Sequence, residues 1–231
     1  LGEDGEKMSK SKGNVINPDD VVREYGADTL RMYEMFMGPL DAVKPWAESG
    51  VKGVFNFLAR VFRFFSEKEN VVADLKDDNA VIKELHKTIK KVADDVENLR
   101  FNTAISQMMV FTNACYKAGK VSEDVAKDFF KVLSPFAPHL AEELWQMYGG
   151  TKSMAYEPWP VCDESKLVDD SVVYPVSFNG KRRFGMEFPK SATPQDVENV
   201  VMADERTIKW LDGKPTKKVI VVPGKIINIV L

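Results

Sequence analysis

The sequence predicts a mainly α fold, an antiparallel helical bundle followed by a small α+β domain. Between residues 45 and 150, apolar residues recur three and four positions apart, which is the spacing of an amphipathic helix. After residue 171 the apolar residues alternate, as in a strand with one buried face, and Asn179-Gly180 separates two such runs as a hairpin turn would. With 231 residues, 44% of them hydrophobic, the chain is long enough for two domains with separate cores.

Composition excludes several classes of protein. No run approaches the roughly 18 consecutive apolar residues of a membrane-spanning helix, so we expect no membrane association. Cys115 and Cys162 are too few for a disulfide framework, and with only His86 and His139 beside them they offer little to a metal. With so few cysteines, we expect a protein of the reducing cytoplasm. Since Leu1 is not a start methionine, we also expect a piece of a longer chain.

Charge is unevenly distributed along the chain. The net charge of −3 argues against non-specific binding to nucleic acid. From residue 172 to residue 231, however, ten Lys and Arg stand against six Asp and Glu. A basic C-terminal domain on an acidic body indicates contact with a polyanion at one end, and an ordinary solvated surface is the alternative.

The first 44 residues contain a glycine- and lysine-rich loop over 1–16 and two short helices. The first helix is predicted to begin at Asn17-Pro18, where Asn caps and Pro suits the first helical position, and to end at Gly26. Asp28 is predicted to cap the second helix, Thr29–Met37. We expect these helices to connect the loop to the bundle.

Five helices are predicted for the bundle. The first has one apolar stripe that should be buried: Val51, Val54, Phe55, Leu58, Val61, Phe62 and Phe65. The second has a similar seam: Val81, Leu85, Ile89, Val92, Val96 and Leu99. The other three begin near residues 102, 122 and 138. Because the connections are short, neighbouring helices should run antiparallel.

The C-terminal domain is predicted to have the element order β-β-α-α-β-β. Pro175 should place the first strand at a sheet edge, because proline donates no ladder hydrogen bond. Thr193-Pro194 opens a helix with three inward residues: Val197, Val200 and Val201. The closing strands lie on either side of a turn at Pro223-Gly224.

These elements predict four parts of the chain. Residues 1–44 are the end of a first domain with its loop and connecting helices, and 45–150 form the bundle. Residues 151–170 form a linker that contains Pro158-Trp159-Pro160. Residues 171–231 form the small α+β domain.

One segment carries side chains suited to chemistry: Lys7-Met8-Ser9-Lys10-Ser11. It presents ammonium and hydroxyl groups on a short loop between glycines. Transfer of a phosphoryl or nucleotidyl group needs such donors, because negative charge grows on the phosphates and on the departing pyrophosphate. Lysine suits a moving loop, since it is a point charge on a flexible stem.

This segment resembles the second signature of class I aminoacyl-tRNA synthetases, the lysine-serine loop, at all five positions. Three further segments are similar to the leucyl branch of that family: Tyr25–Leu40, Lys44-Pro45-Trp46 and Leu133–Trp145. The closing strands around Gly224–Val230 resemble the C-terminal domain of the bacterial leucyl enzymes. The resemblance therefore covers the whole chain in separated motifs.

The resemblance implies a bundle of the class Ia anticodon-binding type. In the whole enzyme it implies activation of leucine with ATP as leucyl-adenylate, then transfer of leucine to leucine tRNA. Lys10 and Lys7 would be catalytic, and Met8, Ser9 and Ser11 would complete the ATP-binding loop. Mg²⁺ would accompany ATP in the whole enzyme, this chain itself would bind no metal, and the protein would be a monomer.

Other parts of such an enzyme are not found in the sequence. The first signature of the class, two histidines around a glycine at a helix start, is missing, since His86 and His139 stand in other contexts. The strand-glycine-helix pattern of the nucleotide-binding fold and the editing domain are missing as well. We therefore expect the C-terminal part of a leucyl enzyme, inactive alone.

Basic residues in two places are the candidate contacts to tRNA. Arg60 and Arg63 lie off the apolar stripe of the first bundle helix, and guanidinium forks suit phosphate oxygens. In the C-terminal domain the candidates are Lys181, Arg182, Arg183, Lys217, Lys218 and Lys225. The resemblance implies that this domain contacts the outer corner of the tRNA.

Two other interpretations stay open. The chain could be a freestanding module that binds structured RNA without catalysis, or a protein-interaction bundle in which the lysine loop is a coincidence. Among the remaining residues, His139 is expected to cap or pack, and Asp28 and Arg31 to pair or cap. Trp210 is one of four tryptophans that could stack on bases.

Overall fold

A computed structural model describes residues 1–3, 5–167 and 171–231, with Ser171 described by its backbone alone. The chain divides into two compact units, Leu1–Leu167 and Val168–Leu231. In the described residues the first unit is helical and the second combines a sheet with two helices, so the predicted mainly α fold with a small α+β part is confirmed.

The described part of the first unit contains seven α-helices. They are α1 Pro18–Tyr25, α2 Ala27–Phe36, α3 Glu48–Ser66, α4 Asn79–Glu97, α5 Phe101–Ala118, α6 Glu123–Leu133 and α7 Pro138–Met147. Two short strands, β1 Val71–Val72 and β2 Val121–Ser122, pair in parallel between helices and were not predicted from the sequence. Asn17 and Ser122 cap α1 and α6 as predicted.

The buried face of α3 differs from the apolar stripe predicted for this helix. It is wider than that stripe, but it leaves out two of the predicted residues. Phe55 and Phe62 were predicted to be buried, but they are 41% and 43% exposed. Phe57 and Phe64 are buried instead. The reason is that α3 packs on two sides, because Phe64 lies 5.0 Å from the Tyr116 ring on α5 while Phe65 lies against α6.

Leu99, at the corner between α4 and α5, was predicted to belong to the buried seam of the second bundle helix but does not. This leucine lies beyond the end of α4, is 59% exposed and has a positive φ of 56°. The chain reverses here around the buried carboxylate of Asp95. That carboxylate accepts hydrogen bonds from Lys91, Arg100 and Thr103 at 2.7, 2.8 and 2.6 Å.

The second unit has the predicted element order. Its elements are β3 Ser171–Phe178, β4 Lys181–Pro189, α8 Pro194–Ala203, α9 Glu205–Leu211, β5 Lys218–Val222 and β6 Ile226–Val230. The strands form one sheet in the order β4-β3-β6-β5, in which only β3 and β6 are parallel. One face of the sheet packs against the helices through Val176, Phe178, Ile227, Ile229 and Val201.

Two expectations about the second unit were wrong. β3 is an inner strand, although Pro175 predicted an edge. Pro175 is tolerated because β6 pairs only with Val176–Phe178, so β3 has one neighbour at the proline. Val200 was predicted to face inward with Val197 and Val201, but it is 52% exposed.

The segment after α7 packs on the helices of the first unit. The Met154 N–H donates to Glu142 at 2.9 Å, and Lys90 on α4 forms an ion pair of 2.6 Å with Glu164. The His86 Nδ1, for which no role was expected, accepts a hydrogen bond from the Asp163 N–H at 3.1 Å. Residues up to Leu167 therefore belong to the first compact unit, and the predicted four-part division of the chain stays a prediction.

Candidate functional site

The lysine loop is shaped by hydrogen bonds within itself. The Ser9 N–H donates to the side-chain oxygen of Asn14 at 2.9 Å, and the Ser9 and Ser11 hydroxyl oxygens lie 3.2 Å apart. Lys10–Lys12 form one turn of 3-10 helix, which Gly13 closes with a φ of 65°. The loop therefore exposes its lysines around a local scaffold of serine and asparagine.

The three lysines of this loop differ in their surroundings. Lys12 forms an ion pair with Glu6. Lys7 and Lys10 are exposed, and their ammonium groups have no partner within residues 1–3, 5–167 and 171–231. Two cations are therefore available to an anion, and they are the two for which the resemblance implied a catalytic role.

The start of the chain is tied to the connection between α2 and α3. The Trp46 N–H donates to the Leu1 carbonyl at 2.9 Å. Trp46 packs edge-on against Tyr33 with ring centroids 4.9 Å apart, and the Tyr33 hydroxyl accepts from the Ala47 N–H at 2.8 Å. These contacts hold the base of the lysine loop against α2.

Asp28 caps a helix other than the predicted one. It was predicted to cap α2, but Gly26 occupies that position and the Asp28 side chain turns toward α7. Its Oδ2 accepts from the Leu140 N–H at 2.8 Å, and its Oδ1 lies 2.7 Å from Nδ1 of His139. Arg31 donates to the Pro135 carbonyl at 3.2 Å. The structural role expected for these residues is thus a link between α2 and α7.

The two candidate arginines on α3 are not equivalent. Arg60 donates to Asn113 at 2.9 Å and lies 4.9 Å from the centre of the Tyr116 ring, so its guanidinium is held against α5. Arg63 is exposed and has no partner for its guanidinium in the part of the chain that the structure describes. Arg63 is therefore the freer of the two to meet a phosphate.

The strand register gathers most of the basic candidates of the second unit at one end of the sheet. Lys181 pairs with Phe178, Phe178 with Ile229, and Lys218 with Val230. The basic starts of the outer strands β4 and β5 therefore stand about 14 Å apart, three strand spacings across the sheet. We call this group the basic end: Lys181, Arg182, Arg183, Lys217 and Lys218.

Lys225 lies at the opposite end of the sheet. It is in the turn between β5 and β6, where the Gly224 N–H donates to the Tyr174 hydroxyl at 2.9 Å. At the basic end, Lys217 donates from its ammonium to the Leu231 carbonyl at 3.1 Å. All six residues are exposed, but the fold does not bring Lys225 together with the other five.

An aromatic ring accompanies the basic end. The Arg183 guanidinium lies 4.1 Å from the centre of the Trp210 ring, and Trp210 lies 6.2 Å from Phe178. Trp210 was predicted to be a base-stacking candidate, but its contact with Arg183 was not predicted. The two residues lie on different elements, so no local pattern in the sequence indicates the contact.

The described residues contain neither a candidate metal site nor a candidate membrane-spanning helix. No group of three or more His, Cys, Asp or Glu side chains there is arranged to hold a metal ion. No helix in the same residues is both long and apolar enough to cross a membrane. Cys115 and Cys162 are unpaired, and burial raises the pKa of both thiols.

Two family models match this architecture. Residues 78–200, more than half of the chain, match the anticodon-binding domain of tRNA ligase. Residues 1–43, which hold the lysine loop and α2, match the class I tRNA synthetases for I, L, M and V. The chain belongs to the anticodon-binding domain family of tRNA ligases.

Individual relatives narrow the similarity to leucine enzymes. The leucine–tRNA ligase of Flavobacterium psychrophilum is 48% identical over all 231 residues, which span 24% of that protein. A solved ternary complex of Agrobacterium radiobacter K84 agnB2 LeuRS with tRNA and LeuAMS matches the whole chain, with a TM-score of 0.73 and 33% identity. The chain covers 32% of that LeuRS. It is thus a homologue of part of leucine–tRNA ligase.

Proposed function

We propose that this chain is the C-terminal part of a leucyl-tRNA synthetase, which joins leucine to its tRNA with ATP through a leucyl-adenylate. The observation that carries the proposal is the lysine loop, whose scaffold leaves Lys7 and Lys10 as available cations. The 48% identity to a leucine–tRNA ligase supports leucine as the amino acid. Since the chain corresponds to about a quarter of that relative, we propose that it is inactive alone.

In the whole enzyme, Lys10 would bind the ATP phosphates and stabilise the charge that builds on pyrophosphate, with Lys7 assisting. Met8, Ser9 and Ser11 would complete the ATP-binding loop. Mg²⁺ usually binds through substrate phosphates, so it would enter with ATP. The unpaired cysteines suit the cytoplasm, where thiols stay reduced.

The second unit is proposed to bind leucine tRNA through its basic end. The solved relative is a complex with tRNA, which supports an RNA partner. Ammonium and guanidinium groups on both outer strands could each reach a phosphate of the backbone, so binding should weaken with salt. Arg63 is the stronger candidate on α3, because Arg60 is already bonded to Asn113.

Titration of the 231-residue chain with leucine tRNA and a non-cognate tRNA, at two salt concentrations, tests the RNA part. We expect tighter, salt-sensitive binding of leucine tRNA. The double variant Lys181→Gln/Lys218→Gln should weaken it, whereas Lys225→Gln at the opposite end should not. Salt-insensitive binding, or an equal effect of Lys225→Gln, would contradict the assignment. The 231-residue chain could bind RNA while the full-length protein fails to activate leucine. That pair of results would favour the alternative, an RNA-binding module without catalysis.

A further inference from the structure

Trp210 is placed to order an arginine at the basic end. The guanidinium carbon of Arg183 lies 4.1 Å from the centre of the indole ring, within the range of a cation–π interaction. Trp210 is 46% exposed and Arg183 is exposed as well, so the pair forms part of the surface. Phe178, on the covered face of the sheet, packs against the indole, with ring centroids 6.2 Å apart.

A second arginine–aromatic pair in the same unit provides a comparison. The Arg206 guanidinium lies 4.5 Å from the centre of the Phe184 ring. Its fork is occupied, because Nε and Nη2 donate to the two carboxylate oxygens of Asp204 at 2.9 and 3.0 Å. In the residues that the structure describes, the Arg183 guanidinium has no hydrogen bond or ion pair. The indole thus orders Arg183 while its N–H donors stay available.

We propose that Trp210 is a positioning residue for RNA binding, which holds the Arg183 guanidinium ready to donate to a phosphate of the tRNA backbone. The inference rests on the proposed function of the second unit. Immobilising a long side chain costs conformational entropy on binding, and a ring that has already ordered the guanidinium removes part of that cost. A guanidinium that stacks on an aromatic ring uses the face of its plane, whereas it binds phosphate through the N–H groups at its edge, so both contacts can exist together.

A double-mutant cycle on the 231-residue chain, with leucine tRNA as the probe, tests this positioning. Arg183→Gln should weaken tRNA binding about tenfold. It should also reduce the slope of log affinity against log salt concentration by about one, because one fewer counterion is released. Trp210→Ala should weaken it about threefold when Arg183 is present and should change nothing in the Arg183→Gln background. Trp210→Phe keeps a ring and should restore most of the affinity. Arg206→Gln removes the same charge from the occupied arginine and is the matched control, with no expected loss.

The outcomes separate this inference from the proposed function. The unsubstituted chain could bind RNA while Trp210→Ala causes the same loss of affinity with Arg183 and with Arg183→Gln. Trp210 would then contact RNA itself, which would overturn the positioning role but leave the proposed function intact. No binding by the unsubstituted chain would overturn both. NMR of the free chain gives an independent readout, because ring current should shift the Arg183 Cδ protons upfield and Trp210→Ala should abolish that shift. An unshifted Arg183 in the unsubstituted chain would also overturn the inference.

Discussion

Asp28 on α2 caps α7, because its carboxylate accepts the backbone N–H of Leu140, which lies in the first turn of that helix. The same carboxylate is within hydrogen-bond distance of the His139 ring. Two of the motifs that resemble the leucyl enzymes, Tyr25–Leu40 and Leu133–Trp145, are therefore bonded to each other. The residues after the lysine loop are thus built into the helical bundle by a hydrogen bond that spans the sequence.

Replacing Asp28 should weaken this junction. Asp28→Ala leaves the first N–H groups of α7 without their acceptor, and loss of a helix cap costs about 0.5–2 kcal/mol. The free energy of unfolding in urea measures the effect. Glu69→Ala, at an exposed position in the turn after α3, is the control and should stay within about 0.5 kcal/mol of the unsubstituted chain. Equal stability of both variants would show that α7 does not depend on the cap.

Asp95 should make stability depend on pH. Burial raises the pKa of its carboxyl, but hydrogen bonds from Lys91, Thr103 and Arg100 outweigh burial and hold the pKa below its ordinary value. Because the folded pKa is below the unfolded one, the carboxylate stabilises the fold above the unfolded pKa, and this contribution is lost as pH falls through the folded value.

The variant Asp95→Asn isolates that contribution. At neutral pH it should lower the free energy of unfolding by about 1–3 kcal/mol. The difference from the unsubstituted chain should shrink below about pH 4, where the unfolded carboxyl begins to take up its proton. Asp94→Asn removes an exposed ion pair with the same Arg100 and should cost about 0–1 kcal/mol. A pH-independent difference for Asp95→Asn would contradict the titration argument.

If the full-length protein is the proposed leucyl-tRNA synthetase, the lysine loop gives a catalytic prediction for it. Lys10→Ala should slow leucine-dependent ATP–pyrophosphate exchange by about 10²–10³, which is the usual effect of losing a preorganised donor to developing charge. Lys12→Ala is the matched control, because the Lys12 ammonium is paired with Glu6 in the same loop. It should change the rate by a few-fold at most. Similar rates for Lys10→Ala and the unsubstituted enzyme would remove Lys10 from the mechanism.

Two glycines on α3 should respond to alanine in opposite directions. A Cβ at Gly50 would lie 2.7 Å from Cε2 of the buried Tyr33 ring, whose hydroxyl is held by Ala47. A Cβ at Gly53 would meet nothing within 4 Å. Gly50→Ala should therefore destabilise by about 1–3 kcal/mol, and Gly53→Ala should stabilise by up to about 1 kcal/mol. Thermal unfolding of both variants checks the sign of each change.

Local patterns predicted most of the secondary structure. Asn17, Ser122 and Thr193 each cap the helix that they were expected to begin, because a cap depends on residues adjacent in the sequence. The hairpin turn at Asn179-Gly180 is also where it was predicted, with Asn179 at a positive φ of 47°.

The errors arose where a distant neighbour decides the outcome. Phe55 and Phe64 are both apolar, and only the position of α5 determines that Phe64 is the buried one. The alternating pattern that identified β3 does not determine the order of strands in the sheet. The expectation that Pro175 places β3 at the edge was therefore wrong. For the candidate site, the sequence predicted which charged residues to consider, and their role stays a prediction. The ion pair of Lys12 and the contact of Arg183 with Trp210 depend on the fold.

The position of β6 in the sheet affects when the second unit can fold during synthesis. β6 is the last strand in the sequence, yet it lies between β3 and β5 and carries the buried Ile227 and Ile229. During synthesis, β3, β4 and the two helices leave the ribosome before the strand that joins them to β5 exists. Because that pairing is long-range in sequence, the unit should fold late, after Val230 has emerged, and a chain terminated before Ile226 would lose the centre of its sheet.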